Sequence, residues 1–189
     1  PKQAYWSRPL ISTKPVHTGP AWASSATAAP FYTPALLRIF DLSHLYLIGI
    51  GSNQPHPVIG TPNRIIPQAI AALEMDDIDV FAHSATIESR PMGPSLRRFA
   101  NAAAVVATEL APPALLARLH EIESHFGRVR RGQSWRARVL DLDILLWSGG
   151  MWADSNPKLS IPHPGLRSRG FVLTPAAMIA PDWRDPVSG

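Results

Sequence analysis

Asp141 and Asp143 stand two residues apart in the run Val139-Leu140-Asp141-Leu142-Asp143-Ile144-Leu145-Leu146-Trp147. On a strand such side chains share a face, about 7 Å apart along it, while Leu140, Leu142 and Ile144 point the other way into apolar packing. Two carboxylates held between buried leucines are costly unless something pairs them. Magnesium is one candidate partner, since it takes oxygen ligands and often uses only one or two carboxylates plus phosphate. Nearby arginines are the other. Arg128, Arg130, Arg131, Arg136 and Arg138 lie within eleven residues just upstream. Five arginines against two acids leave positive charge for phosphate oxygens, and arginine with Mg²⁺ is the electrostatic answer to a transferring phosphoryl group. Trp135, in the same stretch, is either a lid that stacks on a flat ligand or a packing anchor. His163, between Pro162 and Pro164, is either an idle loop histidine or a companion of Arg167 and Arg169.

Other motifs carry less. Gly49-Ile50-Gly51-Ser52-Asn53 follows an apolar run, but Gln54 stands where a dinucleotide fingerprint needs its third glycine, and there is no Walker lysine. It reads as a tight turn at a strand end. His120-Glu121 with His125 is spaced wrongly for a zinc protease, because five residues put the two rings about 140° apart on a helix. With no cysteine, disulfide scaffolds, zinc-thiolate sites and cysteine nucleophiles are excluded. No run approaches the ~18 apolar residues of a membrane-spanning helix. The net charge of +4 lies wholly in residues 1–40, which hold Lys2, Arg8, Lys14 and Arg38 and no acid. The remainder is neutral, which argues against a general polyanion binder, whereas a focused arginine cluster suits a small polyanion.

These residues need a frame. Residues 1–43 are proline-rich and without sustained period, and are expected to be a disordered N-terminal extension. The domain is expected over 44–189. Leu45–Ile50 reads as a buried strand, and Arg64–Leu73 as a helix with Ile66, Ala69, Ile70 and Leu73 on one face. Asp77–Glu88 reads as a second strand and Phe99–Glu109 as a third. A helix from Pro112-Pro113 to His125 ends at Gly127. Val139–Trp147 is the clearest strand. The tail from Ser148 reads as loop with one helix over Val172–Ile179. Strand, helix, strand, strand, helix, strand describes an α+β, ferredoxin-like antiparallel sheet with its helices on one face. The other face is left for a ligand or for tail elements.

Taken together, Gly51-Ser52-Asn53, Arg128-x-Arg130, Trp135-x-x-Arg138-x-x-Asp141-Leu142-Asp143-Ile144, Ile161-Pro162-His163 and Arg169-Gly170-Phe171 resemble, in order and spacing, the 6-hydroxymethyl-7,8-dihydropterin pyrophosphokinases of folate biosynthesis. The resemblance covers about residues 45–189. It implies transfer of the diphosphate of ATP to the pterin hydroxymethyl group, giving AMP, with two Mg²⁺ ions. Asp141 and Asp143 would hold both ions, Arg128 and Arg138 would grip the moving phosphates, and Trp135 would close over the site. Ser160, His163 and Arg169 would contact ATP, with Arg130, Glu123 and Ile144 in the nucleotide site. The pterin would lie between Phe99, which replaces a frequent tyrosine, and Phe171. Asn101 would read its amino-oxo edge, since one carboxamide offers both a donor and an acceptor. Ser89 and the main chain at Met92 would complete that pocket. The resemblance further implies a cytoplasmic monomer acting on small molecules, without nucleic acid or membrane. It also implies one more helix beyond Gly189, so the domain is expected to be truncated at its C-terminus.

Two rivals use the same residues. A nucleic-acid module on such a sheet would show paired aromatics on its central strands, and Phe99–Glu109 has only Phe99. A nucleotidyltransferase would use the same aspartate pair.

Overall fold

The structure is a computed structural model that describes residues 44–74, 77–90, 97–127, 138–155 and 158–189. The expected features at Met92, Arg128, Arg130 and Trp135, and the whole N-terminal extension, lie outside the described residues. The elements run β1 His44–Ser52, α1 Pro62–Leu73, β2 Asp79–His83, β3 Ile87–Ser89, β4 Phe99–Thr108, α2 Pro112–His125, β5 Asp141–Trp147, β6 Trp152–Ser155, β7 Lys158–Ile161 and α3 Gly170–Ile179. The architecture is α+β. The main sheet has the order β2-β4-β1-β5, with β3 also paired to β4, and every pairing is antiparallel.

Period two sorts the side chains. Tyr46, Ile48 and Ile50 of β1, Ala100, Ala102, Ala104 and Val106 of β4, and Leu142 and Ile144 of β5 form one core with Ile65, Ile66, Ala69 and Leu73 of α1 and Leu115, Leu119 and Ile122 of α2. β4 packs against α1, and α2 packs against β5. Tyr46 is fully buried, its hydroxyl donating to the Leu110 carbonyl at 2.7 Å, and burial pushes that hydroxyl's pKa well up. α1 and α2 both begin at proline, where the missing N–H costs no intrahelical bond, and α2 stops at Gly127 with φ +79°.

The structure departs from the sequence expectation in three places. The second strand is two. Between His83, opposite Ala104, and Ile87, opposite Asn101, three residues face two. Ser84 fills the break: its N–H donates to the Ala103 carbonyl and its hydroxyl accepts the Ala103 N–H. The last sheet strand starts at Asp141 rather than Val139. The tail contains a hairpin, with β6 paired to β7, where only loop was expected. Its Trp152, Leu159 and Ile161 pack on the first core. α1 and α2 cover one face, and the other takes a tail element, one of the two occupants the sequence left for it. α3 packs behind the sheet, where Ala176 and Ala180 meet Leu47, Ala103, Val105, Leu145 and Leu146 in a second core. This works because Leu145 is the extra residue of a bulge: Leu47 faces Leu146 and Ile48 faces Ile144, which turns both Leu145 and Leu146 toward α3. That second core sits around Leu47, Val105 and Leu146. Asp141, Gly51, Asn101 and Phe99 lie farther along the same face, outside it.

Candidate active site

The floor of that stretch is Gly51, with Gly49 beside it under the Leu145 side chain. Gly51 of β1 lies between Asn101 on β4 and Asp141 on β5, and Gly49 lies between Ala103 and Asp143. The two rows therefore read Asn101-Gly51-Asp141 and Ala103-Gly49-Asp143. Neighbouring strands are about 4.8 Å apart, so Asn101 and Asp141 face each other across about 10 Å of sheet with no side chain between them. A Cβ on Gly51 would stand 3.8 Å from Asn101 Oδ1 and 3.9 Å from Asp141 Cβ, directly in the trough.

One wall is acidic. Asp141 and Asp143 project from the same face of β5, and Leu142 and Ile144 are buried on the other, as the alternation predicts. Arg138 pairs with Asp141 through Nη1 and Oδ2. The Asp143 carboxyl is pushed up from the usual carboxylate range, chiefly by burial and then by the Asp141 charge. His163 and Arg138 offset this in part. Two carboxylates thus crowd a recess whose nearby positive charge does not fully compensate them.

His163 follows β7. Its N–H donates to the Leu145 carbonyl at 3.0 Å, and its ring Nδ1 accepts from the Gly165 N–H at 3.0 Å. With Nδ1 taken by that bond, Nε2–H is the ring's remaining donor. Arg169, at the start of α3, folds over Gly165, where a Cβ would meet the guanidinium carbon at 2.7 Å. Only glycine leaves room for that approach.

The opposite wall is neutral. Asn101 is buried, and its Nδ2 donates to Ser89 Oγ at 2.9 Å, an interaction that orients the carboxamide. Ser89 faces Phe99 across the β3–β4 pair, and Phe99 shares the Asn101 face. Phe171 lies in the first turn of α3, the helix that packs on β4 and β3.

The structure therefore gathers Arg138, Asp141, Asp143 and His163 on one side, and Ser89, Phe99 and Asn101 on the other. Ser160 lies on β7, exposed, opposite Ala153. Two further residues expected near the nucleotide are buried. Ile144 is 2 % exposed in the helix-side core, so only its main chain is available. Glu123 is 1 % exposed and accepts the Leu142 N–H at 2.8 Å, so its carboxylate holds β5 between the two aspartates. Sequence reasoning missed Gly51 as a floor and took Asn53 for part of a turn. Asn53 instead grips the main chain of Arg138. The signal was present in the Gly-x-Gly-Ser-Asn string, as two same-face glycines and a polar residue at the strand exit.

Comparison with known proteins shows the family. The family model described as 7,8-dihydro-6-hydroxymethylpterin-pyrophosphokinase matches residues 47–181, a span holding both walls and the floor. The chain is 38% identical over 147 residues to the 2-amino-4-hydroxy-6-hydroxymethyldihydropteridine pyrophosphokinase of Synechocystis sp., covering 77% of this chain and 71% of that one. It is 40% identical over 141 residues to the protein of the same name from Pseudomonas aeruginosa, covering 74% and 82%. It is 35% identical over 166 residues to the mitochondrial folate synthesis bifunctional protein of Arabidopsis thaliana, covering 87% of this chain and 27% of that protein. With the matched span enclosing every described residue of the trough, the chain belongs to the 7,8-dihydro-6-hydroxymethylpterin pyrophosphokinase family.

Proposed function

We propose that this chain transfers the diphosphate of ATP to the hydroxymethyl group of 6-hydroxymethyl-7,8-dihydropterin, releasing AMP, as a step of folate synthesis. The observation that carries the reading is the trough itself. A carboxylate pair with an arginine stands across a side-chain-free floor from an oriented carboxamide with an aromatic beside it. One wall suits polyphosphate and the other suits a flat heterocycle.

The donor set fits magnesium. Asp141 and Asp143 offer hard oxygen ligands in a recess where burial and mutual repulsion disfavour two negative charges, and a divalent cation relieves that. The remaining ligands of such an ion would come from phosphate and water. Asp141 and Asp143 would hold two Mg²⁺ ions, which when bound supply charge neutralisation at the attacking and leaving oxygens.

The chain's own residues do the rest. Arg138, already beside Asp141, neutralises phosphate oxygens, with Arg128 as its partner in that role. His163 presents Nε2–H as a donor, and Arg169 and Ser160 extend the nucleotide contacts along with Arg130. Asn101 reads the pterin edge while Phe99 and Phe171 sandwich the ring, Ser89 and Met92 close the pocket, and Trp135 covers it. Glu123 and Ile144 support the site through β5. No side chain is assigned as general base, because phosphoryl transfer depends mainly on positioning and charge. We read the protein as a cytoplasmic monomer acting on small molecules alone.

The test is AMP release from ATP and Mg²⁺ with a panel of pterins. AMP is expected only with the 6-hydroxymethyl-7,8-dihydro compound. Adenylylation of an acceptor with pyrophosphate release would replace this reading with a nucleotidyltransferase.

A further inference from the structure

Arg138 is held by its main chain, not only by its charge. Its N–H donates to Asn53 Oδ1 at 2.6 Å, and its carbonyl accepts from the N–H groups of Asn53 and Gln54 at 3.0 and 3.1 Å. Asn53 is 2 % exposed and sits 85 residues away in sequence. Both main-chain polar groups of Arg138 are thus taken by the two residues that follow β1. The same β1 supplies Gly51, the register partner of Asp141. The end of one strand therefore sets both members of the Arg138–Asp141 pair, Asp141 through the ladder and Arg138 through the clasp.

We propose that Asn53 is a positioning residue: it fixes the main chain of Arg138 so that the guanidinium leaves from one point beside Asp141, preorganised for phosphate. This rests on the pyrophosphokinase reading of the site. Asn53 acts on the Arg138 side of the trough and not on the wall where the pterin is placed, so its effect should fall on turnover and not on pterin binding. Loss of the Oδ1 acceptor releases one end of the clasp, and misplacement of a catalytic group by about 1 Å costs up to about a hundredfold in rate.

The test combines a kinetic cycle with amide hydrogen exchange. Asn53→Ala is expected to lower kcat about tenfold to a hundredfold and leave the pterin KM within about twofold. Asn53→Asp keeps an acceptor oxygen and should restore most of the rate. In an Arg138→Ala background, Asn53→Ala should cost under about twofold, because its route of action is already gone. Exchange of the Arg138 amide should accelerate in Asn53→Ala and not in Asn53→Asp. Should Asn53→Ala not fold, Asn53→Ser carries the same test, since its hydroxyl is one bond too short to reach. Multiplicative losses in the double variant, or an unchanged Arg138 amide, would overturn the proposal. A wild-type chain that releases no AMP with any pterin would sink the pyrophosphokinase reading instead, and the exchange data would still decide whether Asn53 holds Arg138.

Discussion

Replacing Gly51 by alanine separates the fold from the site. The added methyl would lie 3.8 Å from Asn101 Oδ1 and 3.9 Å from Asp141 Cβ, both ordinary contacts, and Gly51 has no positive φ that alanine would strain. The fold should accept it. Replacing a glycine also restricts the unfolded chain, which is worth about 0.4–1 kcal/mol where the native conformation suits alanine. For a chain of this size that is a rise of up to about 4 °C in Tm. The same methyl stands about 1.5 Å above the floor between the two walls, at the bond length of a carbon–carbon single bond. A substrate bridging from Asn101 to Asp141 is lifted by on the order of 1 Å, which should lower kcat/KM about a hundredfold. Gly49→Ala provides the contrast. Its Cβ would meet Leu145 at 3.3 Å, and Leu145 is 1 % exposed in the second core, so that core must yield. A stability loss of about 1–3 kcal/mol is expected there. Thermal unfolding and AMP release, measured together on both variants, check this. A Gly51→Ala protein with unchanged Tm and kcat/KM within twofold of wild type would show that substrate does not cross this floor.

Asp143→Asn removes one charge from the pair while keeping its shape. Mg²⁺ affinity should fall, metal-free ATP should bind no worse, and turnover should drop by several orders of magnitude; titration of Mg²⁺ with a non-hydrolysable ATP analogue decides it, and unchanged metal dependence with retained turnover would leave the pair as a mere arginine partner. Glu123→Ala strands the Leu142 N–H without its acceptor and should cost about 1–3 kcal/mol in urea unfolding, whereas Glu123→Gln, which keeps an acceptor oxygen, should recover most of it; equal losses would deny the bond its role. Asp185 is drawn down to about 2 chiefly by its hydrogen bond from Arg167, helped by the Val187 N–H and Ser188 hydroxyl. Its folded pKa lies below the unfolded value, so its contribution is present above about pH 4 and fades as pH falls toward 2. The pair lies at the surface with Arg167 exposed, so that contribution should stay under about 1 kcal/mol. Asp185→Asn should therefore lower the urea midpoint at pH 5 and match wild type near pH 2, and an equal gap at both would be evidence against the linkage.

Some of this protein is written locally. Alternation in Leu140–Ile144 sent the aspartates to one face and the leucines to the other, because two-residue periodicity is a property of any strand. Proline at the starts of α1 and α2 and glycine at the end of α2 marked those helices for equally local reasons. The spaced arginine, aspartate and histidine motifs were enough to indicate the family before any coordinates. What the chain alone did not display was register. Whether Gly51 falls between Asn101 and Asp141 depends on pairings across about fifty and ninety residues, and one residue of slip would put every side chain on the wrong face. The bulge at Leu145 turned two consecutive leucines the same way, which made a seat for α3 on the face left for a ligand or for tail elements. The β6–β7 hairpin is short and finds its stability against Trp147 and the first core, so its own sequence carries little strand signal. Asn53 and Glu123 look like ordinary polar residues until β5 arrives beside them. Their partners are main-chain N–H groups, which every residue but proline possesses, so only the tertiary structure could say which ones they hold.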